Sequence, residues 1–177
     1  FIRSMIEYGG PFGTPAIIGS MQGRWGEGVS REQALGWLGE ALVELEQTAK
    51  GFGVPLIYEP LNRYETNLCR TLGEGVDLLR TAGCSHVQLL ADLFHLFIEE
   101  ANVADSIRAH GAAVGHVHFV DTNRRAVGFG HADFGPIMRA LKEVGYRGYL
   151  SAEAFPLPDG EATAAQTIRA VRYWTQQ

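Results

Sequence analysis

The stretch Val87-Gln88-Leu89-Leu90-Ala91-Asp92 is a short, almost wholly apolar run that ends on an acid. Such a run predicts a β-strand that is covered on both faces, as strands of parallel sheets are. Similar runs recur along the chain, with longer segments of helical periodicity between them. Strands are predicted at residues 15–19, 55–59, 87–92, 115–120 and 148–153.

The segments between these runs carry signals for helices. Ser30 and Gln33 fit a capping box at the start of the clearest helix, and Gly51 can end it. Thr71 and Glu74 fit a second capping box. Further helices are predicted at residues 71–83, 102–111, 133–145 and 161–174.

The alternation therefore amounts to five βα units, which demand a parallel sheet. Two architectures fit this pattern, a doubly wound open sheet and part of an eight-stranded barrel. The first would usually have a glycine-rich turn after its first strand, and Gly19-Ser20-Met21-Gln22-Gly23 lacks that spacing.

Composition limits the range of functions. The chain has 177 residues, 46% of them apolar, and a net charge of −5. We expect no nucleic-acid partner, because no basic cluster exceeds Arg124-Arg125. No apolar run approaches the ~20 residues of a membrane span. The two cysteines, Cys69 and Cys84, make no disulfide framework, which favours a cytoplasmic protein.

Metal-capable side chains fall at the ends of four consecutive predicted strands. Glu59, Asp92 and Glu153 are the last residues of their runs, and His118 lies near the end of another. Taken singly, each has an ordinary interpretation, such as a core histidine or a carboxylate paired with arginine. Together they favour a site, because a buried carboxylate costs free energy unless it is paired or bound to metal, and parallel strands of a barrel end at one rim.

Three carboxylates and one imidazole form a ligand set that is mostly oxygen. Such a set suits Mn²⁺, which we expect first, with Co²⁺ or Mg²⁺ as the alternatives. A structural zinc ion would prefer cysteine and histidine.

Four motifs resemble those of the ketose 3-epimerases of the D-tagatose 3-epimerase type, within the xylose-isomerase-like TIM-barrel superfamily. The motifs are Glu59-Pro60-Leu61-Asn62-Arg63-Tyr64-Glu65, Asp92-Leu93-Phe94-His95, His116-Val117-His118 leading to Asn123-Arg124, and Glu153-Ala154-Phe155. The similarity covers about residues 50–157. Ala154 departs from it, because relatives often carry proline there.

The resemblance implies an α/β fold, the (β/α)8 TIM barrel, of which this chain supplies about the last five βα units. Residues 1–177 are then a single domain without the N-terminal strands, and we expect a whole protein of about 260 residues, near the size typical of the fold. The implied metal ligands are Glu59, Asp92, His118 and Glu153. The implied substrate contacts are Glu65, His95 and Arg124.

The implied enzyme is a metal-dependent sugar isomerase or epimerase. It would remove a proton beside the carbonyl of a ketose and pass through an enediolate. Glu59 and Glu153 would be the catalytic pair, one on each face of the reacting carbon. An aldose–ketose isomerase could use the same parts with the substrate shifted by one carbon.

Other functions remain open at this point. One is a related dehydratase of the inosose type. Another is a metal-dependent endonuclease of the same superfamily, which would want a basic groove that this acidic chain lacks. The last is a partial barrel without catalysis, assembling as a homo-oligomer through unpaired strand edges.

Overall fold

The computed structural model describes residues 1–176. The chain divides into two compact units, one up to Leu90 and one from Ala91 onward. The expectation that the whole chain is a single domain stays a prediction. Among the described residues, no helix is both long and apolar enough to cross a membrane.

The first unit alternates helices with short strands. Its elements are α1 (Ile2–Gly9), β1 (Ile17–Ile18), α2 (Arg31–Gly51), β2 (Leu56–Tyr58), α3 (Leu72–Ala82) and β3 (Val87–Asp92), whose last two residues belong to the second unit. β1 pairs with β2 and β2 with β3, both in parallel, with Ile17 opposite Ile57 and Leu56 opposite Val87.

The second unit continues the alternation. Its elements are α4 (Leu93–Glu99), α5 (Val103–His110), β4 (Val114–His118), α6 (Gly135–Glu143), β5 (Leu150–Ser151) and α7 (Gly160–Thr175). β4 and β5 pair in parallel, with His118 opposite Ser151. The predicted βα pattern with parallel pairing is therefore found in both units.

The two predicted capping boxes differ in outcome. At α2, Ser30 Oγ accepts from the Gln33 N–H at 3.2 Å and Gln33 Oε1 accepts from the Ser30 N–H at 2.9 Å, so the first box is confirmed. At α3, Thr71 Oγ1 accepts from the Glu74 N–H. The Glu74 carboxylate, however, accepts from the Arg70 N–H at 2.7 Å, one residue before the cap, so the second box is only half formed.

Helix α4 is not predicted by the sequence patterns. It begins directly after Asp92, whose Oδ1 accepts from the backbone N–H groups of Phe94 at 2.8 Å and His95 at 3.4 Å. An aspartate at the N-cap satisfies amides that have no partner inside the helix. The acid that ends β3 therefore also starts a helix and brings His95 close to the end of the strand.

Several elements begin or end elsewhere than predicted, and three of these differences concern predicted site or capping residues. β2 ends at Tyr58 and β5 at Ser151, so Glu59 and Glu153 follow their strands instead of ending them. α6 begins at Gly135, and Asp133 Oδ1 accepts from the N–H of that residue at 2.9 Å.

A buried carboxylate in the first unit ties α2 to the segment before β3. Glu46 is 2% exposed. Its Oε1 accepts from Lys50 Nζ at 2.9 Å, and its Oε2 accepts from the N–H groups of Ser85 at 3.0 Å and His86 at 2.7 Å. Burial alone would raise the Glu46 pKa, but these bonds outweigh it, and the pKa lies below its ordinary value.

We expect Glu46→Gln to lower the free energy of unfolding at pH 7 by roughly 1–3 kcal/mol, because two backbone donors and Lys50 lose a charged acceptor. A depressed pKa stabilises the fold above the ordinary value of 4.5, and this contribution is lost as pH falls through the folded value. Urea unfolding at pH 7 and at pH 3.5 measures both effects. Glu40→Gln, an exposed position on the same helix, is the control, and an equal loss in both variants would contradict the prediction.

Candidate metal centre

Three of the four predicted metal ligands lie together in the second unit. His118, the last residue of β4, places its Nδ1 2.9 Å from Asp92 Oδ2 and 3.3 Å from Glu153 Oε2. Asp92 and His118 are buried, whereas the Glu153 side chain is 56% exposed. This arrangement leaves one ligand of the cluster accessible to solvent.

These separations fit a small divalent ion. Metal–oxygen bonds of about 2.1 Å at right angles put neighbouring ligands about 3 Å apart, close to the two distances measured here. Carboxylate oxygens with one imidazole nitrogen are donors that suit Mn²⁺, Mg²⁺ and Co²⁺. Nδ1 is the histidine atom that faces the carboxylates. The donor set and its spacing therefore agree with the predicted metal class.

The two carboxylate oxygens of Asp92 make different contacts. Oδ1 caps α4 through the amides of Phe94 and His95, and Oδ2 faces His118. Ligating carboxylates are commonly fixed by a hydrogen bond on the oxygen that does not bind the ion. The cap thus sets the direction in which Asp92 presents its other oxygen.

Arg124 joins this cluster and brings two predicted substrate residues together. Its Nη2 lies 2.7 Å from Glu153 Oε1, and its Nη1 lies 4.0 Å from Asp92 Oδ2 and 3.5 Å from His95 Nε2. The guanidinium also stacks over Phe94, 4.8 Å from the ring centroid. A cation held at this point partly offsets the negative charge of the two carboxylates.

Glu59 is positioned by contacts within the first unit. It follows β2, is 6% exposed, and donates its N–H to the Ile18 carbonyl at 2.9 Å. Its own carbonyl accepts from Gln22 Nε2 at 3.2 Å, and Gln22 Oε1 accepts from Tyr58 Oη at 2.8 Å. A Cβ on Gly19 would lie 2.5 Å from Glu59 Oε2, so a side chain at this position would force the carboxylate to shift.

Glu65, the third predicted substrate residue, is exposed in the first unit. Its Oε1 accepts from Asn62 Nδ2 at 2.9 Å, and its N–H donates to the Asn62 carbonyl at 2.9 Å. Asn62 is 1% exposed. Asn62 and Gln22 were not predicted to take part in the site, because each lies in the loop after its strand, where the sequence pattern does not reveal that a polar side chain is buried.

His116 is close to the cluster but has another task. Its Nε2 lies 2.7 Å from Ser151 Oγ, and its ring lies 5.5 Å from that of His118. Burial lowers the pKa of His116, and the neighbouring His118 lowers it further. His116 therefore connects the adjacent strands β4 and β5 through its contact with Ser151.

The chain matches the family model of the Xylose isomerase-like TIM barrel over residues 1–174, and it belongs to that family. This membership decides between the two architectures that fitted the sequence, in favour of the barrel. It also confirms the resemblance on which the expected residue roles rest.

Curated relatives and solved structures are similar to this chain over much of its length. It is 40% identical over 119 residues to D-psicose 3-epimerase of Enterocloster bolteae, covering 67% of this chain and 40% of that protein. It is 40% identical over 115 residues to L-ribulose 3-epimerase of Mesorhizobium japonicum, covering 65% and 39%. The solved structure of an L-ribulose 3-epimerase matches with a TM-score of 0.88 at 27% identity, covering 99% of this chain and 66% of that one. The chain thus spans about two fifths of the length of these two curated relatives.

Proposed function

We propose that the protein is a metal-dependent sugar epimerase that acts on a ketose. The observation that carries this proposal is the cluster in the second unit, where His118 faces Asp92 and Glu153 while Arg124 binds Glu153. The relatives named D-psicose 3-epimerase and L-ribulose 3-epimerase support the same class.

The proposed metal ligands are Glu59, Asp92, His118 and Glu153, each offering one ligand atom. Their chemistry favours Mn²⁺, with Co²⁺ or Mg²⁺ as the alternatives. A bound ion of this kind would polarise the substrate carbonyl and offset the charge of an enediolate.

Glu59 and Glu153 are the proposed acid and base, one for each face of the reacting carbon. One carboxylate takes the proton from carbon, and the other returns a proton to the opposite face, which inverts the centre. Arg124 holds Glu153 Oε1 at 2.7 Å and leaves Oε2 for other partners. His95, Glu65 and Arg124 are the proposed substrate contacts.

The proposed epimerisation has two candidate carbons of the sugar, C3 and C4. A 3-dehydro-D-guloside 4-epimerase of Escherichia coli is 34% identical to this chain over 114 residues. That relative supports keeping 4-epimerisation beside 3-epimerisation, and an aldose–ketose isomerase remains the third outcome. A dehydratase would differ from all three, because its product has lost water.

The proposed setting is the cytoplasm, with a small-molecule sugar as the partner. Cys69 and Cys84 are free thiols, which suits a reducing compartment. Self-association of the protein into a homo-oligomer is a further proposal that light scattering on the whole protein would test.

Metal content and turnover of the whole protein test this proposal together. We expect uptake of about one Mn²⁺ per chain after removal of metal with EDTA, weakened at least roughly tenfold in Glu153→Gln. Chromatography of a panel of ketoses should then reveal epimers that form only with metal. Glu161→Gln, an exposed position in the first turn of α7, is the matched control.

Each contrary result has a defined meaning. A protein that takes up no divalent ion would contradict the metal site. A protein that binds the ion but leaves every ketose unchanged would contradict the epimerase and favour a partial barrel without catalysis.

A further inference from the structure

Asp121 is a buried acid, 1% exposed, that the proposed chemistry does not use. Its Oδ1 accepts from the N–H of Thr122 at 2.8 Å, from the hydroxyl of the same residue at 3.4 Å and from the N–H of Ala132 at 3.3 Å. Its Oδ2 accepts from the N–H groups of Gly128 at 2.9 Å and Gly130 at 3.0 Å. One carboxylate therefore accepts hydrogen bonds from donors spread over residues 121–132, which we name the Asp121 loop.

The contacts of the Asp121 carboxylate explain why two positions of this loop are occupied by glycine. A Cβ on Gly130 would lie 2.1 Å from Asp121 Oδ1, so a side chain at this position would displace the acid. Gly128 has a φ of +95°, which residues with a side chain rarely adopt. The segment Gly128-Phe129-Gly130 thus has the composition that lets backbone amides reach Asp121.

Arg124 is carried by this loop in a constrained conformation. Its φ is +55°, a left-handed value that residues with a side chain rarely adopt. The N–H of Arg124 donates to the Asp121 carbonyl at 2.9 Å, and the N–H of Asp121 donates to the Arg125 carbonyl at 3.0 Å. The Arg124 carbonyl accepts from the Phe155 N–H at 2.7 Å, which ties the loop to the segment just after Glu153.

We propose that Asp121 is a positioning residue for the reaction, because its carboxylate holds the loop that presents Arg124 to Glu153 and His95. This inference rests on the proposed function, in which Arg124 contacts substrate and orients Glu153. Asp121 itself touches neither substrate nor metal ligand in this scheme, and its effect passes through Arg124.

Asp121→Asn is the substitution that tests the role of the carboxylate most directly. A carboxylate can accept from both groups of donors, whereas an asparagine side chain must turn its NH₂ toward one of them. In either orientation the loop loses at least two hydrogen bonds to this side chain, and the side-chain NH₂ faces backbone N–H groups that are donors too. The volume of the residue is nearly unchanged, so the variant alters the bonding of the loop and little else.

The test combines kinetics with a structure of the variant. We expect Asp121→Asn to lower kcat/KM by about 10- to 100-fold, by analogy with the loss of partners that orient metal ligands, with Mn²⁺ affinity nearly unchanged. In an Arg124→Ala background the same change should lower kcat/KM less than about twofold, because the residue through which it acts is gone. Asp133→Asn changes an exposed carboxylate just after the loop, which accepts from the Gly135 N–H, and it should keep normal activity.

Two outcomes would overturn the inference. One is an undiminished effect of Asp121→Asn in the Arg124→Ala background, which would indicate a general structural role. The other is a crystal structure of Asp121→Asn in which Arg124 still holds Glu153 at 2.7 Å. The second measurement needs no turnover, so it separates failure of this inference from failure of the proposed function. If Asp121→Asn does not fold, Gly130→Ala displaces the same carboxylate and is expected to have the same effects.

Discussion

Asp92→Asn should lose the metal-dependent activity by roughly 1,000-fold or more, because removal of a bound ion removes several kcal/mol of charge stabilisation. In the second unit, Asp92 Oδ2 is the atom that faces His118 Nδ1. An amide in its place has no negative charge to bring to the ion. Titration with Mn²⁺, followed by calorimetry, should accordingly show that binding is lost or severely weakened.

The same substitution should leave the apo fold nearly intact. Asparagine caps helices as well as aspartate does, so its side-chain oxygen can keep the amides of Phe94 and His95. Asp159→Asn is the matched control, since Asp159 caps α7 through the Ala162 N–H at 2.8 Å. Both variants should melt within a few degrees of the wild type in EDTA, and only Asp92→Asn should lose the rise in Tm on adding Mn²⁺. Unchanged Mn²⁺ affinity in Asp92→Asn would remove this residue from the site.

Glu59→Gln and Glu153→Gln should each lower epimerisation by about 100- to 10,000-fold at saturating Mn²⁺, the range for loss of an acid–base group. If the two carboxylates serve opposite faces of the carbon, each variant should also change how the carbon-bound proton exchanges with solvent. Each variant should keep one base, which can still remove and return a proton on its own face. In deuterated solvent, one epimer should then exchange its carbon-bound proton without forming the other.

The two variants should differ in which epimer they label, and NMR of the recovered sugar would reveal this. If both variants label the same epimer with the metal site fully occupied, the two residues do not serve opposite faces. Glu161→Gln should behave as the wild type in both assays.

The sequence was most informative where local patterns and burial coincide. The β3 limits, Val87 to Asp92, agree with the predicted run, since an apolar strand bounded by an acid leaves little freedom in its ends. The start of α2 was equally predictable, because both halves of its capping box lie within four residues. The roles assigned to Glu59, Glu65 and the other site residues stay predictions until the experiments above are made.

What the sequence could not predict depends on contacts between residues far apart in the chain. Helix α4 was missed because the pattern places Asp92 in a strand, and nothing local reveals that one of its oxygens also caps a helix. Asp121 was missed for a similar reason. An acid after a strand is ordinary, and only the folded loop shows that amides up to eleven residues away converge on it.

Asp92 both caps α4 and is a proposed metal ligand, and this combination should affect which ion the site prefers. Its Oδ1 is held by backbone amides, so its Oδ2 cannot move outward without pulling on the first turn of α4. A ligand anchored in this way resists the wider spacing that Ca²⁺ requires, with bonds of about 2.3–2.6 Å. In the proposed metal site, discrimination by ionic radius would therefore rest on the backbone of α4, because accepting a large ion would strain the start of that helix.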